Sequence, residues 1–199
     1  EDGSNDVVEE AVSRFASREE AAEAIKKKAG LEKADLSGLD LAEMKFTGLN
    51  AEGINLSNAN LTSSLFAGIN LEDADFSNAQ MNGATIIGAN LEGANLQGAQ
   101  LVGATISAAN LENSNLAGSD LSGSKWMGVN VEGADFYSTK TSGARAVGVS
   151  WSEAKVPPEE TPEAISPPTW LPAVVVALIA FVVAIVLLRK RGQVEVAVD

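Results

Sequence analysis

Five glutamates, Glu52, Glu72, Glu92, Glu112 and Glu132, recur at intervals of twenty residues, each two positions after an asparagine: Asn50, Asn70, Asn90, Asn110 and Asn130. If the chain turns once per twenty residues, these carboxylates stand in one column with neighbours about 5 Å apart. Like charges set directly opposite one another are destabilising. Docking to a basic surface would give such a column a function, whereas duplication of a twenty-residue ancestor would leave it as a solvated face. A flat ladder lacks the converging cage of oxygens that a bound cation needs. Asparagines in register can hydrogen-bond along the stack.

A second set of positions is almost free of acids. It holds Ala67, Ile87, Ser107, Met127 and Val147, with Leu65, Thr85 and Thr105 beside them and Lys125 and Arg145 at its C-terminal end. Leu65, Ile87, Met127 and Val147 on one stripe suggest a contact surface, although scattered exposed apolar residues are ordinary.

The rest of the composition excludes more than it offers. The chain has 199 residues, no Cys and no His, so thiol chemistry, zinc-thiolate sites, disulfides and Ser-His-Asp catalysis are all ruled out. With 14 Lys+Arg against 27 Asp+Glu the net charge is −13, which opposes direct binding to nucleic acid. No unit of the repeat described below breaks its pattern to form a pocket with converging polar groups. The expectation is a non-catalytic protein with no metal, no cofactor and no small-molecule substrate.

The elements that must position these faces follow from the repeat itself. From Ala34 to Gly148 the chain reads as 23 consecutive pentapeptides without insertion, many close to Ala-(Asp/Asn)-Leu-x-Gly, as in Ala89-Asn90-Leu91-Glu92-Gly93 and Ala94-Asn95-Leu96-Gln97-Gly98. The central residue is apolar at every unit from Leu36 to Phe136, and the residue two before it is mostly Ala or Ser from Ala74 to Ala134. A period of five fits neither a helix nor a flat strand. A chain that turns a corner every five residues can bury it, with each unit touching only its neighbours.

This run resembles the pentapeptide repeat family. The resemblance implies a right-handed quadrilateral β-helix with four pentapeptides per coil, an all-β solenoid whose central and small residues point inward. Residues 34–151 would then make between five and six coils, a rod about 25–30 Å long at the β spacing. One inward column would be Leu36, Leu56, Phe76, Leu96, Leu116 and Phe136. Another would be Phe46, Phe66, Ile86, Ile106 and Trp126, with Phe46 stacked on Phe66. Leu39, Met44, Leu49 and Ile54 depart from the small residue of the consensus, which suggests an end coil that meets another element.

Residues 1–33 are expected to form a helical cap. One short helix would start near Val7, with Val8, Val12 and Phe15 at helical spacing. A second has Ser17 as N-cap, Glu20 three residues on, and Lys26, Lys27 and Lys28 before Gly30. An open solenoid end exposes apolar groups and unpaired backbone, and this helix is placed to cover it. At the other end the consensus decays at Thr139, Thr141 and Ala146, and Trp151 is placed to close the last coil. Residues 152–170 contain five of the six prolines and are expected to be an extended spacer.

Residues 171–188 contain no charge. Their 18 residues would span about 27 Å as a transmembrane helix. Trp170 before it and Arg189, Lys190 and Arg191 after it would mark the two interfaces, and the basic cluster places the tail, 189–199, on the cytoplasmic or stromal side. Ala173, Ala177, Ala180 and Ala184 share one face and would allow close packing against another membrane helix.

Together these features suggest a membrane-tethered scaffold or accessory subunit of an integral membrane-protein complex, in contact with the lipid bilayer. Because the family is abundant in cyanobacteria and plastids, the resemblance implies a thylakoid complex, a photosystem or its antenna, with a lumenal solenoid. A bacterial inner-membrane adaptor with a periplasmic solenoid is one alternative. An acidic DNA mimic, as some family members are, is another.

Overall fold

The computed structural model describes residues 15–28 and 30–164. In order they form helix α1 (Arg18–Lys27), six three-residue strands, a short 3-10 turn (Trp151–Glu153) and a last two-residue strand, β7 (Glu163–Ala164). The six strands are β1 (Lys45–Thr47), β2 (Leu65–Ala67), β3 (Thr85–Ile87), β4 (Thr105–Ser107), β5 (Lys125–Met127) and β6 (Arg145–Val147). All pair in parallel in the order β1 to β7, and from β1 to β6 each pairing is offset by twenty residues.

This register makes one coil per twenty residues and gives it four sides. Strands form on one side only. The other three carry single-residue bridges, such as Asp35 with Asn55, Asn60 with Gln80 and Asn70 with Asn90. Neighbouring coils are stitched by backbone bonds in both directions: Leu56 N–H donates to Asp75 O at 2.7 Å, while Asp75 N–H donates back to Ile54 O at 2.9 Å. A corner every five residues demands a left-handed residue, so the last position of each unit has positive φ. Glycine fits this best, and at Gly98 there is a second reason. A Cβ there would come within 2.7 Å of Asn78 Oδ1, which leans over from the coil before.

The inside of the coil is apolar. Leu36, Leu56, Phe76, Leu96, Leu116 and Phe136 are buried in one column, and Phe46, Phe66, Ile86, Ile106 and Trp126 in the column of the opposite side. Phe46 and Phe66 stack with centroids 4.7 Å apart and planes 6° apart. Ala and Ser fill the second inward position in most units, and the larger Leu49, Ile54, Ile69 and Val129 are also buried there. Trp126 is fully buried and donates its indole N–H to Ser124 Oγ at 2.8 Å.

Helix α1 lies over the first coil. Ser17 Oγ accepts the Glu20 N–H, and Glu20 Oε2 accepts the Ala16 N–H at 2.9 Å. Ala21 is buried, and Phe15, Ala24 and Ile25 pack on the core together with Leu39 and Met44. Carbonyls of the first coil that have no preceding coil to pair with are taken up here. Phe15 N–H donates to Asp35 O, and the Arg18 guanidinium donates to Asp40 O at 3.1 Å and Ala42 O at 2.8 Å.

Three boundaries differ from the sequence expectation. The first coil starts at Leu31, which is buried at an inward position, with Lys33 N–H donating to Glu52 O at 2.7 Å. The helix is closed by Lys28 at φ 53°, whose N–H reaches Ala24 O and Ile25 O, so Gly30 is not needed to end it. Residues 152–164 are not a spacer but a shortened last coil. Gly133 N–H donates to Glu153 O, Phe136 N–H to Val156 O, and Glu163 N–H to Ala144 O. Trp151 packs 5.6 Å from Trp126 and 5.4 Å from Phe136.

Val156 bridges Asp135, so Pro157 follows it as Phe136 follows Asp135. Phe136 uses its N–H to reach forward to the next coil. Proline has no such donor, so at Pro157 this coil offers one hydrogen bond fewer for stacking.

The expected helix from Val7 lies outside the described residues, as do the expected transmembrane segment 171–188, its flanks Trp170, Arg189, Lys190 and Arg191, and the alanines Ala173, Ala177, Ala180 and Ala184. Among the described residues no helix is long and apolar enough to cross a membrane.

Candidate functional site

The side carrying the glutamates is built around an asparagine ladder. Asn70, Asn90, Asn110 and Asn130 each donate from Nδ2 to Oδ1 of the asparagine one coil earlier, at 3.0, 3.1, 3.1 and 2.9 Å. Each Oδ1 also accepts the backbone N–H of the glutamate two residues on, as Asn130 does from Glu132 at 3.1 Å. The ladder holds every corner of this side in the same conformation and thereby lines up Glu52, Glu72, Glu92, Glu112 and Glu132. Glu92 and Glu112 lie 3.5 Å from the amide nitrogens of Asn110 and Asn130, which offset part of their mutual repulsion. The column has a sixth member that sequence reasoning missed. Glu32 Oε1 accepts from Asn50 Nδ2 at 2.6 Å. The signal was present, since Glu32 precedes Glu52 by the same twenty residues, but the repeat was read from Ala34.

The neighbouring side is the sheet β1–β6. Its inward residues are the stacked Phe46 and Phe66 and those after them. Its outward positions form two straight columns, one of Lys45, Leu65, Thr85, Thr105, Lys125 and Arg145, the other of Thr47, Ala67, Ile87, Ser107, Met127 and Val147. Ile87 is 46% exposed, Met127 38% and Val147 49%, while Leu65 is half-buried. None of these twelve positions is acidic. Among the described residues Lys45, Lys125 and Arg145 make no ion pair. Lys45 completes the cationic set at the N-terminal end and was not singled out from the sequence.

An open depression of about 350 Å³ lies where the last coil meets the body, lined by Ser122, Thr139, Lys140, Thr141, Ser142, Glu159 and Glu160. Both of its threonine hydroxyls are engaged: Thr139 Oγ1 donates to Phe136 O and Thr141 Oγ1 to Glu160 O. Lys140 sits 3.7 Å from Asp120. Hydrogen bonds from the Ser122 hydroxyl and N–H, together with this lysine, outweigh partial burial and hold the Asp120 carboxyl below its usual range. These contacts knit the last coils together. Among the described residues no group of three or more carboxylates could hold a metal ion.

The sequence profile described as Pentapeptide repeats matches residues 28–62, 54–93, 86–123, 106–140 and 114–150, well over half of the chain. The chain belongs to the pentapeptide repeat family. Similar solved structures include the pentapeptide repeat protein Rfr23 from the cyanobacterium Cyanothece 51142, at 25% identity over 59% of this chain and 90% of that one, with a TM-score of 0.42. QnrB1, a plasmid-mediated fluoroquinolone resistance protein, is 29% identical over 62% of this chain and 65% of its own, with a TM-score of 0.35. A pentapeptide repeat protein from the Arabidopsis thaliana thylakoid lumen is 26% identical over 61% of this chain and 69% of its own, with a TM-score of 0.31. No curated protein matches the chain.

Proposed function

We propose that this chain is a non-catalytic scaffold or accessory subunit of a larger membrane-protein complex, tethered by residues 171–188 with the solenoid on the non-cytoplasmic side. The observation that supports this best is how the described residues divide their chemistry. The interior is apolar packing with a few buried serines, of which Ser64, Ser114 and Ser124 donate to backbone carbonyls, and the charged groups are displayed on long straight outer sides. Such a body offers large flat surfaces to another macromolecule and little that could enclose a small molecule. The tether rests on sequence: 18 uncharged residues followed at once by Arg189, Lys190 and Arg191. The setting that the family resemblance implies is the thylakoid, with a photosystem or its antenna as the complex.

The test is migration of the full-length chain on a native gel after mild detergent extraction, with mass spectrometry of the band. Co-migration with a large complex supports the proposal and names the partner, pigmented or respiratory. Migration at the mass of one or two chains of 20.6 kDa overturns it.

A further inference from the structure

We infer that the partner docks on the β1–β6 side and meets it with an apolar segment flanked by carboxylates. This rests on the accessory-subunit reading and adds which face is used and what chemistry it takes. The four sides of the coil differ in how much of their outward bonding is already satisfied. On the glutamate side the asparagine ladder ties each coil to the one before it. The next side continues in the same way, with Asn95 donating to Asp75 and Asn115 to Asn95. On the side after that, Asn60 donates to Asp40, and Lys140 pairs with Asp120. The β1–β6 side has no such ladder. Three of the five large exposed hydrophobic residues of the described chain, Ile87, Met127 and Val147, lie on it.

Charge then selects the occupant. Lys45 stands at one end of the face, and Lys125 and Arg145 at the other. Four to five coil spacings separate them, about 19–24 Å. Between them lie Leu65, Thr85, Ile87 and Thr105, all neutral. A complementary partner is therefore apolar across its middle and acidic at points about 20 Å apart, within reach of an extended stretch of about six or seven residues. Beyond Arg145 the cationic run ends at Glu163, the next strand in register. A second copy of this chain is a poor occupant. A two-fold contact would set Lys45 against the partner copy's Lys125 and Arg145, and pairing this side with the other copy's glutamate column would not close.

Carbodiimide coupling tests this directly, because it joins a lysine amine to a carboxylate only where the two already touch. Membranes holding the full-length chain would be treated with a water-soluble carbodiimide, and the linked peptides sequenced from the co-migrating band. The expected result is amide links from Lys45 or Lys125 to Asp or Glu in an otherwise apolar partner peptide. Replacing both lysines (Lys45→Arg, Lys125→Arg) should abolish the links and keep co-migration, since arginine keeps the charge but does not couple. Reversing all three cations (Lys45→Glu, Lys125→Glu, Arg145→Glu) should lower the co-migrating fraction about tenfold or more. Links from Glu52–Glu132 to partner lysines with Lys45 and Lys125 untouched, or links to a second copy, overturn the assignment of the face. So does a charge-reversed chain that still co-migrates. Failure of the unaltered chain to co-migrate overturns the accessory-subunit reading itself.

Discussion

Phe66→Ala is the sharpest test of how this solenoid holds together. Phe66 is fully buried, stacks on Phe46 at 4.7 Å and meets the edge of Phe76 at 5.8 Å. Truncation removes the ring from water-excluded packing and leaves a cavity, because coils locked by hydrogen bonds on four sides cannot collapse inward. Buried Phe→Ala changes cost about 3–5 kcal/mol, of which each aromatic pair accounts for about 0.5–1.5 kcal/mol. The stack predicts the upper part of that range and a fall in Tm of about 10–20 °C. Far-UV circular dichroism of the full chain in mild detergent would follow the whole solenoid. Tryptophan emission in a Trp170→Phe background would follow the cluster of Trp126 and Trp151, three coils away from Phe66. If coils couple only to their neighbours, the first signal should fall before the second; a solenoid melting as one unit would shift both together. A loss below about 1 kcal/mol would refute the packing described for this column.

Three further outcomes follow. Replacing Glu72, Glu92 and Glu112 with Gln should stabilise the chain slightly, by less than about 1 kcal/mol in total, and flatten its dependence on salt; marked destabilisation in thermal melts would show that the contacts of Glu92 and Glu112 with Asn110 and Asn130 outweigh the repulsion along the column. Gly98→Ala should cost more than about 1 kcal/mol from left-handed strain plus the clash with Asn78 Oδ1, and Asn78→Gly in the same chain should recover the clash but not the strain, which a double-mutant cycle in urea would separate. Asp120 is held below its unfolded pKa, so the stability it contributes is present above the ordinary carboxylate range and is lost as pH falls through its folded value. Melts from pH 7 to pH 2 should therefore show Asp120→Asn to be less stable than the parent at neutral pH and equal to it in acid. A gap independent of pH would refute the role given to Ser122 and Lys140.

Most of the coil was legible in the sequence, because a five-residue period dictates geometry locally. Every corner repeats, so the residue two after each small Ala or Ser must face in. The columns Leu36 to Phe136 and Phe46 to Trp126 can be read off by adding twenty, and the glutamate column can be found the same way. What the period could not reveal lies where the period stops. Leu31 and Glu32 belong to the first coil although the Ala-Asn-Leu pattern has not yet begun, because hydrogen bonding to the second coil, not consensus, decides membership. Pro157, Pro158 and Pro162 read as a spacer, yet the chain from Trp151 to Ala164 still finds carbonyls and amides left over on the sixth coil. Arg18 carries no signal in its own neighbourhood. Its role is set by Asp40 O and Ala42 O, which lie 22 and 24 residues ahead and are exposed only because no coil precedes them. The sequence by itself thus determined the repeating body and its outward columns. Only the tertiary structure decided how the ends are closed, since an end is defined by backbone groups that lack a neighbour, and which distant residue supplies the missing partner depends on where the folded chain passes.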